Sequence, residues 1–208
     1  MKKIKISILV LLLLVIGVII YHVAKPLDAE GYYKRGVACF DNGQYEQALA
    51  DFSRAIYLKP DYCDADYNRG RVFRAKKLFD QAIADYGHAI QLKPDYAEAF
   101  YDRAIAYSAQ GKYDQAIADY GKAINNRPGY AEAYFNRGNA YCKKGHRGQA
   151  IADYSQAIKL MPGRSNMYFN RGNAFYAVAQ YDQAIADYNQ TLALEPDHAE
   201  AYYCRGNV

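Results

Sequence analysis

The sequence predicts an all-α solenoid of helix–turn–helix repeats preceded by one transmembrane helix. Three observations predict it. A pattern recurs every 34 residues from Ala29 onward, a proline closes each copy, and a charge-free apolar run lies near the start. The composition agrees: 23 Tyr, 8 Phe and no Trp among 208 residues is the skew left by copying a short Tyr-bearing pattern.

The apolar run is ISILVLLLLVIGVIIYHVA, Ile6 to Ala24, framed by Lys2, Lys3 and Lys5 before it and by Lys25-Pro26 after it. Its 19 residues would span roughly 28 Å as a helix, close to the hydrocarbon core of a bilayer. Backbone groups in lipid need internal partners, so helix is the state expected there. The run exceeds the apolar region of a cleaved signal peptide, and neither Ala24 nor Ala29 has the small residue two places earlier that cleavage favours. Residues 1–28 therefore read as an uncleaved signal anchor, with secretion after cleavage as the alternative. The basic start favours a cytoplasmic N-terminus and extracytoplasmic repeats of a single-pass cell-membrane protein. Lys25, Lys34 and Arg35 on the far side keep cytoplasmic repeats open.

The repeats fall at 29–62, 63–96, 97–130, 131–164 and 165–198, and 199–208 starts a sixth. Small residues recur in the first helix (Gly36, Gly70, Ala104, Gly138, Gly172) and alanines in the second (Ala48, Ala82, Ala116, Ala150, Ala184), letting two backbones approach. Tyr86, Tyr120, Tyr154 and Tyr188 are expected to fill the gap between neighbouring repeats. Gly-x-Tyr turns such as Gly43-Gln44-Tyr45 separate the helices. Pro60, Pro94, Pro128, Pro162 and Pro196 end each copy, because proline cannot continue a helix. Helices of about a dozen residues are too short to persist alone, so stacking must supply the burial. The sixth start is expected to be helical but frayed, covering the fifth repeat through Tyr202 and Gly206, and this end is a possible surface for self-association.

The stretches YFNRGNAYCKKGHRGQAIADYSQAIKLMP (134–162) and AFYDRAIAYSAQGKYDQAIADYGKAI (99–124) carry a small-residue and aromatic ladder that resembles the tetratricopeptide-repeat family, and the resemblance covers 29–208. It implies a right-handed superhelix whose first helices line a concave groove that binds peptides or proteins. One departure is consistent. The family's common first-helix leucine is replaced by Arg35, Arg69, Arg103, Arg137, Arg171 and Arg205, while the second helices carry Asp51, Asp85, Asp119, Asp153 and Asp187. A half-buried arginine needs a partner, so an Arg–Asp pair in each repeat is favoured over an anion-binding ladder.

The resemblance places groove contacts at repeat positions 2, 5, 6, 9, 12 and 13. Two patches follow. Asn136, Asn139, Asn170 and Asn173 form an amide rail beside Tyr101, Phe135 and Phe169, suited to clamping a peptide backbone because an amide both donates and accepts. Asn68, Arg71 and Arg74 form a second patch suited to an acidic segment. Asp64, Glu98, Glu132 and Glu200 hold position 2, where the family's chaperone-tail clamp needs a cation, so that ligand is not expected. The function expected is a membrane-anchored scaffold for protein–protein interaction; the alternative is a structural spacer without a peptide ligand.

Other classes are disfavoured. Setting aside Lys2, Lys3, Lys5, Lys25 and Asp28 leaves 22 basic and 21 acidic residues, not the basic excess of a nucleic-acid binder. His22, His88, His146 and His198 are too dispersed to converge, and no nucleophile motif accompanies them, so no enzyme and no cofactor are expected. Cys39, Cys63, Cys142 and Cys204 have no CxxC spacing and read as free, mostly buried thiols rather than a metal site.

Overall fold

The computed structural model describes residues 27–208, and the expected membrane helix lies outside the described residues. The first helices of the repeats are α1 (Ala29–Asp41), α3 (Cys63–Ala75), α5 (Ala97–Ala109), α7 (Ala131–Lys143) and α9 (Ser165–Tyr176). The second helices are α2 (Tyr45–Leu58), α4 (Phe79–Leu92), α6 (Tyr113–Asn126), α8 (Arg147–Leu160) and α10 (Tyr181–Leu194). Helix α11 (Ala199–Gly206) opens the sixth copy. The described residues thus form an all-helical solenoid without strands. No described helix is long and apolar enough to cross a membrane.

The boundaries follow from local chemistry. The residue before each proline, from Lys59 to Glu195, lies at φ −136° to −142°, the extended region into which a following pyrrolidine ring forces it. Between the two helices of a repeat the chain turns through a left-handed residue. Gly43, Gly111 and Gly145 take this role at φ 73°, 73° and 81°. Lys77 and Ala179 take it at 61° and 58°, where a Cβ is strained. At the entry to α1, the Asp28 carboxylate accepts from the Gly31 N–H at 2.8 Å.

Each repeat packs by leaving out a side chain. A Cβ added at Gly36, Gly70, Gly138 or Gly172 would come within 2.7–2.9 Å of a ring carbon of Phe52, Tyr86, Tyr154 or Tyr188. Glycine and ring belong to the same repeat, so the large aromatics are seated between a repeat's own two helices. The same rings also meet the next repeat, as expected from the sequence: Tyr120 clusters with Ala133 and Tyr154 with Ala174, so each aromatic serves both contacts.

The arginines complete this packing. Nε and one terminal nitrogen of Arg35, Arg69, Arg103, Arg137 and Arg171 donate to both oxygens of Asp51, Asp85, Asp119, Asp153 and Asp187 at 2.6–2.9 Å. All five carboxylates are buried, so the ladder is spent on structure. In two of the five the remaining nitrogen reaches back to the preceding repeat, Arg69 donating to Ser53 at 3.2 Å and Arg171 to Ser155 at 3.0 Å; Arg205, in the sixth start, likewise donates to Asn189 at 2.6 Å. One side chain thereby ties two helices of its own repeat to the second helix of the one before.

Two expectations change. Only Cys39 is buried; Cys63, Cys142 and Cys204 are partly exposed, and all four are free. At the C-terminal end Ala201 is the residue buried against the fifth repeat, while Tyr202 and Tyr203 are exposed and no atom lies within 4 Å of a Cβ added at Gly206. The small residue approaches the neighbour closely enough to dock, while Tyr203 lines a cavity beside Asn173, Tyr176 and Tyr188 of the fifth repeat.

Candidate functional site

Successive first helices touch one another (α1 with α3, α3 with α5, α5 with α7, α7 with α9), with no comparable approach between successive second helices. The first helices therefore line the inner side of the curve. Along it, the aromatic at repeat position 5 is held between two others. Tyr101 lies 5.8 Å from Tyr120 and 4.6 Å from Tyr130, and Phe169 lies 6.0 Å from Tyr188 and 4.7 Å from His198. Phe135 packs on Tyr154 at 5.7 Å. Tyr101, Phe135 and Phe169 are thus half-buried parts of the groove floor. Burial pushes the Tyr101 phenol up to about 12, so it keeps its proton.

A cross-repeat bond divides the groove. The position 5 hydroxyl of one repeat pairs with the position 6 side chain of the next: Asn68 donates to Tyr33 at 3.2 Å, Tyr67 donates to Asp102 at 2.9 Å, and Asn136 donates to Tyr101 at 2.9 Å. Phe135 and Phe169 have no hydroxyl, so the series stops after the third repeat.

In the N-terminal half the polar groups are consumed. Asn68 is buried, donates also to the Asp64 carbonyl at 2.9 Å and accepts from Arg71 at 2.9 Å. Arg71 lies over the Phe40 ring at 4.8 Å. Arg74 reaches the buried Asp102 carboxylate at 3.5 Å and the Tyr86 hydroxyl at 3.3 Å. Burial pushes the Asp102 carboxyl up, against the pull of Arg74 and the Tyr67 bond. The structure therefore brings Asn68, Arg71 and Arg74 together, but as a network already satisfied from within.

The C-terminal half is open. Asn170 donates to Asn139 at 3.2 Å, Tyr154 donates to the same oxygen at 2.8 Å, and Tyr188 donates to Asn173 at 2.9 Å. Asn139 approaches Asn136 only at 3.5 Å. Among the described residues the Asn170 carbonyl and the Asn173 amide nitrogen have no partner. Two cavities follow the rail. One of about 480 Å³ lies between repeats four and five, lined by Asn139, Asn170 and Asn173 with Lys143 and Arg147. One of about 410 Å³ lies between repeats three and four, lined by Asn136 and Asn139 with Lys143 and Ser108. They adjoin at Asn139 and Lys143.

The description "Tetratricopeptide repeat" matches residues 29–62, and "TPR repeat" matches 70–111, 106–145, 138–178 and 180–208. The chain belongs to the tetratricopeptide-repeat family. An uncharacterized protein of Methanocaldococcus jannaschii is 46% identical over 46 residues, 22% of this chain and 54% of that protein. The chain thus spans about half the length of that curated relative. Among solved structures, YrrB, described as a TPR protein with an unusual peptide-binding site, superposes with a TM-score of 0.76 at 20% identity, covering 86% of this chain and 92% of YrrB. MamA gives 0.75 at 24%, covering 79% and 96%, and pilF of Pseudomonas aeruginosa gives 0.74 at 17%, covering 85% and 80%. These three likenesses are of fold.

Within this tetratricopeptide array, the acids at position 2 fasten the end of their own repeat. Tyr62 donates to Glu30, Tyr96 to Asp64 at 3.1 Å, and Arg127 pairs with Glu98 at 3.0 Å. Sequence reasoning missed Asp102 as the partner of Arg74, because the two lie in different repeats. Ser108, at position 12, was placed in the groove by the sequence and does line a cavity, whereas Lys143 and Arg147 were missed. A signal was present: position 17 is aromatic in every repeat except at Arg147, and position 13 is basic only at Lys143.

Proposed function

We propose that this chain is a membrane-anchored tetratricopeptide-repeat scaffold that binds an extended segment of a partner protein along the inner groove of repeats three to five. One observation carries the reading. Two adjoining cavities are lined by asparagine amides, and in the larger of them the Asn170 carbonyl and the Asn173 amide nitrogen keep unspent capacity. An extended peptide exposes alternating N–H and C=O groups, and a row of amides meets both. The family's general role in protein interaction supports the reading, as does the likeness to YrrB, described as having a peptide-binding site. The anchor is the Ile6–Ala24 run, and the basic start favours repeats outside the cytoplasm.

The test is photo-crosslinking in native membranes, comparing the wild type with Asn170→Ala/Asn173→Ala. Losing two bonds of about 1 kcal/mol each should lower capture of the crosslinked partner by about tenfold or more. Helical content should not change. Undiminished capture removes the groove as the site and leaves the spacer reading. Protease added to intact spheroplasts should digest the repeats; protection until lysis would place them in the cytoplasm.

A further inference from the structure

We propose that the segment received by repeats three to five is an internal, extended, acidic stretch, one of whose side-chain carboxylates seats between Lys143 and Arg147. This rests on the groove-binding reading and adds the chemistry of the occupant.

The charge of the site is one-sided. Of all the residues lining the two cavities, only Lys143 and Arg147 are charged, and Lys143 lines both. Several cations elsewhere along the array are paired with acids: Arg74 with Asp102, Lys76 with Glu46, Arg127 with Glu98, and Lys144, the neighbour of Lys143, with Asp114. In the N-terminal half of the groove Arg71 is held by the Asn68 amide and the Phe40 ring. Lys143 has no acidic partner among the described residues. Arg147 gives one nitrogen to the Cys142 carbonyl, and a guanidinium holds five N–H donors.

These two cations are local exceptions to the repeat. Position 13 is Asp41, Ala75, Ala109 and Ala177 in the other copies, and position 17 is Tyr45, Phe79, Tyr113 and Tyr181. The position 17 ring packs on position 12 in the terminal repeats, Tyr45 on Phe40 at 5.9 Å and Tyr181 on Tyr176 at 5.7 Å. The fourth repeat gives up that aromatic contact and places Cys142 and Arg147 there. Packing therefore does not call for Arg147, whereas a carboxylate in the adjoining cavity does. The Ser108 hydroxyl, buried beside the smaller cavity, has no well-formed hydrogen bond among the described residues although Tyr120 lies near it. It adds a polar group for the same occupant.

The source of the carboxylate is a side chain within the segment. The cavities run on from one another across Asn139 and Lys143, so a strand filling both passes the cations instead of ending on them. The chain's own first 28 residues do not fit, since they carry Lys2, Lys3, Lys5 and Lys25 against Asp28 alone.

The test pans a displayed library of random twelve-residue peptides against the full-length protein in detergent micelles. Enriched sequences are then synthesised with acetylated and amidated ends and their affinities measured by fluorescence anisotropy. The expected result is an excess of Asp and Glu at consistent places, with binding retained by the capped peptides. Lys143→Glu/Arg147→Glu should weaken these peptides by tenfold or more and should gain affinity for versions in which Asp and Glu are replaced by Lys. Lys122→Glu/Lys159→Glu, the same charge change at exposed places on α6 and α8, should have little effect. Neutral or basic peptides that depend on Asn170 and Asn173 but not on the cations would overturn this proposal and keep the groove. A requirement for a free C-terminus would overturn the internal segment. Failure to enrich any peptide would overturn the groove reading and this one with it.

Discussion

The arginine ladder leaves two places where the sequence has not taken up an available bond. Arg69 and Arg171 donate their third nitrogen to Ser53 and Ser155 of the preceding repeat. Arg103 and Arg137 meet Gly87 and Gly121 instead, and a Cβ built there would lie 3.6 Å from the guanidinium nitrogen, an ordinary contact distance. Gly87→Ser and Gly121→Ser therefore have room and should copy the neighbouring bond. Replacing glycine inside a helix by serine contributes about 0.5 kcal/mol through propensity, and the bond to a charged donor about 0.5–1 more at a site water can reach. Each variant should gain about 1–1.5 kcal/mol, or a few degrees in Tm for a chain of this size. Urea unfolding of the full-length protein followed by far-UV circular dichroism measures it, with Gly→Ala at the same positions as reference. Alanine has the better propensity by about 0.5 kcal/mol but cannot accept the bond. Serine equal to or better than alanine supports the reasoning. Serine worse than alanine by the full propensity difference would show that the third arginine nitrogen contributes nothing between repeats.

Arg137→Met should cost about 2–4 kcal/mol by stranding the buried Asp153, and Arg137→Met/Asp153→Leu should recover most of it; additive losses in urea midpoints would contradict a paired role. Lys77→Gly and Ala179→Gly should each stabilise by about 0.5–1 kcal/mol in the same assay, since both residues occupy the left-handed region that the other three turns give to glycine. Asp66, buried beside His88 at 2.7 Å, has its carboxyl pushed up from 3.8 by burial, so the folded state holds a proton that the unfolded state has released. Its contribution to stability is therefore present below 3.8 and falls as pH rises from there through the folded value. The stability of Asp66→Asn relative to the wild type should rise with pH across that window and then level off; a difference flat from pH 4 to 7 would contradict it.

The solenoid was legible because its cause is local and repeated. A proline every 34 residues ends a helix whatever surrounds it, and small residues kept in phase mark where two helices meet. The Arg–Asp pairs were legible for the same reason: both partners recur in every repeat, 16 residues apart. The division of the groove was not. Asn68, Asn136 and Asn170 hold the same repeat position, yet Asn68 is buried and bonded to Tyr33, Asn136 is bonded to Tyr101, and Asn170, whose preceding repeat carries Phe135 in place of a tyrosine, donates to Asn139 instead. Arg71 and Arg74 read as free cations until Asn68 and Asp102 were brought against them. The sequence by itself determined which faces of which helices turn inward, because periodicity fixes direction. Only the tertiary structure decided which inward groups remain available to a ligand, because a side chain's hydrogen-bonding capacity is spent on whatever the adjacent repeat places within 3 Å or so of it.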